Sequence, residues 1–149
     1  MEFIADSPLV FKTPGEYEAK DIFIYGLPSF HDKKDGLEKG RNIIFRIDIE
    51  GLSVVHLGDL GHQLSPETVE KLAQVDVLLV PVGGGDSLNS KEAVEVINEL
   101  EPRIVIPMHY QIDGQKTKLD GIEKFAKEMG VSAKAEDDKL KLSRKDLPE

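Results

Sequence analysis

The sequence predicts an α/β fold, with antiparallel strands first and then a strand–helix–strand–helix–strand run. Three observations predict it. Ile43, Phe45, Ile47 and Ile49 alternate with Arg46, Asp48 and Glu50, the period of a half-buried strand. Val75 to Val82 is a nearly continuous apolar run, as expected of a strand covered on both faces. Ala93, Val94, Ile97 and Leu100 recur at helical spacing between two such apolar runs.

Taken in order, the segment from Leu9 to Leu57 reads as extended, in the pieces LVF, DIFIYGL, NIIFRIDIE and LSVVHL. Glu50-Gly51 is a tight turn joining the last two pieces into an antiparallel hairpin. Between Phe30 and Arg41 lies HDKKDGLEKG, too charged to be core. Ser65-Pro66-Glu67 supplies an N-cap, a first-turn proline and an acidic first turn for a short helix to about Gln74. The strand Val75 to Val82 and the loop GGGDSLN follow, and then a helix from about Ser90 that Pro102 ends. RIVIP is another buried strand. A helix from about Asp120 to Met129 buries Ile122, Phe125, Ala126 and Met129, and Gly130 stops it. VSAKAE and KLKLS read as a closing pair of short strands, and the tail KDLPE as frayed. Alternating strands and helices in the second half imply parallel strands with right-handed crossovers.

Composition narrows the function. The 149 residues carry 19 basic and 28 acidic side chains, a net charge of −9, which disfavours a phosphate-binding nucleic-acid surface. No stretch approaches the roughly 20 apolar residues of a membrane span. MEFIADSPLVF has no basic segment leading into a long apolar run, so no secretory signal is read and a cytoplasmic location is expected. Without cysteine there is no disulfide, thiolate ligand or cysteine nucleophile, and any metal must be held by His, Asp or Glu.

Four histidines are present, each near a strand end or in a loop. In open α/β sheets ligands gather at the carboxyl ends of strands. His31, Asp59 and His109 fall just beyond such ends, so their convergence is expected, and imidazole and carboxylate suit zinc, iron or manganese. Spacing alone leaves other readings open. A loop histidine is usually a solvated or hydrogen-bonded side chain, Asp59 between Gly58 and Leu60 is equally a turn residue, and His56 alternates with apolar neighbours like a core histidine. Gly83-Gly84-Gly85 matches neither GxGxxG nor the P-loop, and a plain strand-to-helix loop explains it better than a phosphate cradle.

GDLGH, preceded by LSVVHL and followed by VDVLLVPVGGG and IVIPMHY, resembles the C-terminal half of a metallo-β-lactamase-fold hydrolase. The subgroup is that of small bacterial and archaeal zinc-dependent hydrolases, which includes ascorbate-6-phosphate lactonase relatives. PGEYEAKDIFIYGLPSFHD and GRNIIFRIDIEGLSVVHLGDLGH are similar to the same subgroup. The resemblance covers residues 8 to 112 closely and the rest loosely. It implies that His31 serves a first metal site, that Asp59 bridges two metals, and that His109 is a ligand of the second. Asn42 and Gly40 match positions near the site without a catalytic role. GGGDSLN departs from the subgroup's aromatic-Thr pattern at Asp86-Ser87, so that loop does not carry a substrate inference. The implied activity is hydrolysis of a lactone, ester or phosphoester in a small-molecule substrate, with one or two zinc ions, or iron or manganese, as cofactor.

The family's HxHxDH signature does not occur in these residues. Residues 1–149 are therefore expected to be a single partial domain, the second half of an αββα sandwich. It would have an exposed apolar sheet face that calls for a chain carrying the N-terminal half, a homodimer, or a rearranged packing. Against the hydrolase stands the alternative of a non-catalytic binding module or inactive fragment that retains the half-fold.

Overall fold

A computed structural model describes residues 8–132 and 139–148. Six strands, β1 (Gly15–Ala19), β2 (Ile22–Phe30), β3 (Arg41–Ile49), β4 (Leu52–His56), β5 (Val77–Pro81) and β6 (Ile104–Met108), lie in one sheet in chain order. The first four form an antiparallel meander, and β4, β5 and β6 are parallel. Two of its hairpins turn on two residues each. Lys20 and Asp21 (φ 53° and 63°) join β1 to β2, and Glu50 and Gly51 (φ 50° and 78°) join β3 to β4. Both pairs are left-handed throughout, as the twist-matched hairpin turn requires.

Chain direction fixes which edge is functional. Because β2 and β4 each run antiparallel to β3, the carboxyl ends of β2, β4, β5 and β6 all point to one edge. His31, Asp59 and His109 leave the sheet there, together with the glycine-rich loop after β5.

Three helices are α1 (Pro66–Lys71), α2 (Ser90–Leu100) and α3 (Ile122–Met129). Ser65 caps α1 by accepting from the Thr68 amide, and Asn89 caps α2 in a reciprocal box with Glu92. Gly130, left-handed at φ 68°, ends α3. All three cover the same face of the sheet. Ile44, Val55, Leu78 and Val80 are fully buried there with Leu72, Ala93, Val96, Ile97, Leu100 and Phe125 in one cluster. Each such aliphatic side chain contributes roughly 1.5–3 kcal/mol by leaving water.

The other face has no helix in the described residues. The strand register places Tyr17, Ile24, Ile47, Val54, Val77 and Ile104 in one row across all six strands. The next row toward the functional edge is Gly15, Gly26, Phe45, His56, Leu79 and Ile106. None of these belongs to the buried core cluster among the described residues. Most are half-buried, although Gly26 is buried and Val77 is 3% exposed. The segment before β1 laps one corner, where Phe11 packs on Tyr17 at a ring separation of 4.5 Å.

The expected α/β class, the hairpin at Glu50-Gly51 and the parallel second half all match the structure. Several details differ. The alternation in β3 is correct, but the helices cover the face of Ile44, Arg46 and Asp48, and the isoleucine-rich face is the open one. Leu9–Phe11 is not a strand, and Gly15–Ala19 is one, because its backbone pairs with β2 across the Lys20–Asp21 turn. The first helix stops at Lys71, since Gln74 (φ 64°) turns left-handed to start the approach to β5. Lys139–Ser143 is irregular and leads into a 3-10 turn at Arg144–Asp146, which Asp146 holds by accepting from Ser143. The KLKLS half of the expected closing strand pair is therefore absent, and the tail is partly ordered by that turn. VSAKAE from residue 133 onward, and the first seven residues, lie outside the described residues. No helix among the described residues is long and apolar enough to cross a membrane.

Candidate metal centre

Asp59 sits on the turn after β4. Gly58 there is left-handed (φ 63°), and a Cβ would stand 2.3 Å from the Asn42 side-chain oxygen, so the turn admits only glycine. Asn42, at the start of β3, ties three segments together. Its Oδ1 accepts from the Asp59 amide (3.1 Å), and its Nδ2 donates to Ser29 Oγ and to the Leu57 carbonyl, both at 2.8 Å. With each side-chain atom bonded, the amide fixes the backbone that presents the Asp59 carboxylate.

His109 follows β6 directly. Its φ of 53° is unusual for a residue with a side chain and stores local strain. The Gly83 amide donates to its carbonyl at 3.0 Å, and a Cβ on Gly83 would lie 2.2 Å from that oxygen. The first glycine of GGG is thus explained by close approach of two strand ends, which favours the plain loop over a phosphate cradle. The result is a 3.7 Å approach of His109 Nδ1 to Asp59 Oδ1, with both side chains substantially exposed.

His31 follows β2 at the same edge, where its Nε2 stands 3.5 Å from Ser87 Oγ. The loop after it is organised by Asp32, whose buried carboxylate accepts from the amides of Lys34, Gly36, Glu38 and Lys39 at 2.7–3.1 Å. These bonds, that of Lys39 foremost, hold its pKa down to about 2 against the opposing effect of burial. Lys33 pairs with Glu92, and Lys39 with Asp86 at 2.9 Å, so the loop is strapped to the start of α2 and the loop before it. The Asp86 partner raises the Lys39 pKa.

The remaining two histidines differ in role. His62 Nε2 accepts from the Phe30 amide at 3.1 Å, and its Nδ1 meets the Gln63 carbonyl at 2.7 Å. Accepting on one nitrogen and donating from the other requires the neutral Nδ1–H tautomer, and His62 joins the GDLGH turn to the end of β2. Gly61 allows the same approach, because a Cβ there would meet Asp32 N at 2.5 Å. His56 stands on the open face, its Nδ1 accepting from Gly58 N at 3.0 Å. Burial lowers its pKa, and the nearby Asp59 charge opposes that shift.

Of the three expected ligands, Asp59 and His109 come together, and His31 is engaged with Ser87. Among the described residues no three His, Asp or Glu side chains are grouped closely enough to hold a metal. The pair itself fits one: two donors each ~2.0–2.1 Å from a shared ion stand ~3.4 Å apart at the tetrahedral angle. Asp32, His62 and Ser87 shape the site as well, beyond what sequence reasoning finds. The signal for Asp32 was an acidic residue heading a polar loop closed by Gly36 and Gly40; His62 and Ser87 gave none, since their contacts are long-range. A cavity of about 720 Å³ opens at the opposite edge, with Arg46, Arg103 and Arg144 matched by Asp48, Asp76 and Glu101, so it has no net charge for an ion.

A family model described as the beta-lactamase superfamily domain matches residues 2–109. A UPF0173 metal-dependent hydrolase of Pyrococcus abyssi is 34% identical over 98 residues, 64% of this chain and 44% of its own. A UPF0173 protein of Pyrococcus furiosus is 43% identical over 82 residues, 54% of this chain and 36% of its own. The chain thus spans less than half the length of these curated relatives. A crystal structure from Thermotoga maritima, a candidate zinc-dependent hydrolase of the metallo-β-lactamase superfamily, superposes with a TM-score of 0.71 and 40% identity. It covers 80% of this chain and 58% of that one.

Proposed function

The chain belongs to the beta-lactamase superfamily domain family, and on that premise we propose that it serves a metal-dependent hydrolase that cleaves a lactone, ester or phosphoester of a small molecule. The observation that carries this reading is the Asp59–His109 approach at 3.7 Å, on the edge where the strand carboxyl ends converge. Asp59 and His109 supply one carboxylate and one imidazole to a shared ion, and Asn42 keeps the Asp59 backbone in place. His31 adds a donor once its ring turns from Ser87. A divalent ion held by such groups acidifies water and polarises a substrate oxygen. Zinc fits the donor types, and iron or manganese fit them too. Two donors at van der Waals range leave the shell unfilled, so further ligands from outside the described residues complete the site.

The second reading, a binding module retaining the half-fold without catalysis, is favoured by the lack of any group of three ligands among the described residues. Metal analysis separates the two. The purified chain, His31→Ala and His109→Ala are loaded with zinc, iron or manganese and desalted. The hydrolase reading expects more bound metal in the wild type than in His109→Ala, with His31→Ala between them. Equal metal in all three overturns a metal role for these residues.

A further inference from the structure

We infer that the cavity at the edge opposite the histidines is a binding site for a small zwitterion of the amino-acid type. Its walls are Arg46 and Asp48 of β3, Ser53 of β4, the turn into β5, and the end of α2 with Glu101 and Arg103. Arg46, Asp48 and Ser53 belong to the helix-covered side of the sheet, so the cavity is separate from the open face. Its volume of about 720 Å³ lies within the roughly 300–1,000 Å³ of small-molecule sites, enough for an amino acid or a dipeptide. Ser53 is 6% exposed, and its Oγ is a buried side-chain atom with no hydrogen-bond partner among the described residues. A hydroxyl that has given up water without a replacement is destabilising, so this one suits an acceptor supplied through the cavity.

The charges left over define the ligand. Arg46 is engaged by Asp48 at 3.1 Å and by the Ala73 carbonyl, and Arg103 by Asp76 at 3.6 Å and by the Pro148 carbonyl. The Arg144 guanidinium and the Glu101 carboxylate line the same cavity and have no partner among the described residues. A planar guanidinium takes a carboxylate through two parallel N–H groups. Glu101 caps α2, whose last turn has no basic residue, so the negative helix end and this carboxylate together favour an ammonium. One free cation and one free anion select a molecule with both signs over a simple ion. Val75 and Leu100 in the same wall let an aliphatic side chain leave water. The ligand is therefore an apolar α-amino acid or its dipeptide, with the carboxylate on Arg144, the ammonium at Glu101 and a ligand oxygen accepting from Ser53. The inference does not depend on the metal reading.

Isothermal titration calorimetry of the purified chain with L-leucine and with L-leucyl-L-leucine, each up to about 10 mM, tests it. At least one is expected to bind with a dissociation constant of about 1 mM or below. The N-acetyl form of that probe lacks the ammonium, its C-terminal amide lacks the carboxylate, and each should bind at least about tenfold more weakly. Arg144→Ala closes the gap between the probe and its amide, and Glu101→Gln closes the gap between the probe and its acetyl form, because each variant removes the group that reads that end. Both residues are exposed, so the variants keep the fold. Ser53→Ala raises the thermal midpoint of the empty chain and weakens binding about threefold, a combination that a hydroxyl with a purely structural role does not give. No binding of either probe overturns the inference. Blocked forms that bind as well as the probe, gaps that survive in both variants, or undiminished binding in Ser53→Ala overturn it as well.

Discussion

The two faces of the sheet have opposite fates, and the more apolar of them is the one without helices. On the closed face, Ile44, Val55, Leu78 and Val80 are sealed under three helices. On the open face, Phe45, Val54 and Leu79 are in adjoining positions of the same strands and share none of that packing. The closed face also carries the charges, with Arg46 donating to Asp48 and to the Ala73 carbonyl. Hydrophobicity therefore does not say which face folds inward. What decides is where the crossovers pass: right-handed β4–α1–β5 and β5–α2–β6 connections put α1 and α2 on one side, and α3 packs against α2 there.

The sharpest way to break this comparison is a pair of truncations on neighbouring residues of β5. Leu78→Ala on the closed face is expected to cost about 3 kcal/mol, because it leaves a cavity in a fully packed core. Leu79→Ala on the open face costs less than about 1 kcal/mol in urea denaturation at chain concentrations where the monomer dominates. Equal losses would mean that the open face is packed in the monomer. Next in size is Gly58→Ala, expected to cost about 2 kcal/mol because φ is 63° and the new methyl meets Asn42. It also lowers metal retention by displacing Asp59. Asn42→Ala, read by the same denaturation, costs about 1 kcal/mol and releases the Asp59 amide, seen as faster exchange of that amide.

A solution condition sharpens the contrast with a smaller effect. Protonation acts on the loop after β2, at the functional edge. The Asp32 carboxyl titrates at about 2 when folded and near 3.8 when unfolded, so its contribution is complete above about pH 4 and is lost as the pH falls toward 2. Amide exchange in residues 33–39 should rise over that window, and in Asp32→Asn it should already be fast at pH 7.

Local signals in the sequence carried most of the elements. Ser65-Pro66, Glu50-Gly51 and Gly130 act within a few residues, through a cap, a turn and a stop, and all three are found where expected. The strand Gly15–Ala19 was not legible, because its pairing with β2, rather than its own composition, makes it a strand. The site was legible as residue types at strand ends. Its geometry was not: the 3.7 Å Asp59–His109 approach depends on Asn42 reaching from β3 and on Gly83 closing against His109, contacts 17 and 26 positions apart in the chain.

Apart from β1 and the two ends of the chain, the sequence by itself determined the order and direction of strands and helices, and hence the single edge where His31, Asp59 and His109 leave the sheet. Periodicity, caps and turn residues are local, and local physics suffices for them. Only the tertiary structure decided which face of β3 is core, that Asp59 and His109 meet while His31 stands beside Ser87, and that one apolar face carries no helix among the described residues. Those outcomes depend on which side the crossovers take and on contacts between distant segments, and an alternating strand looks the same from either face.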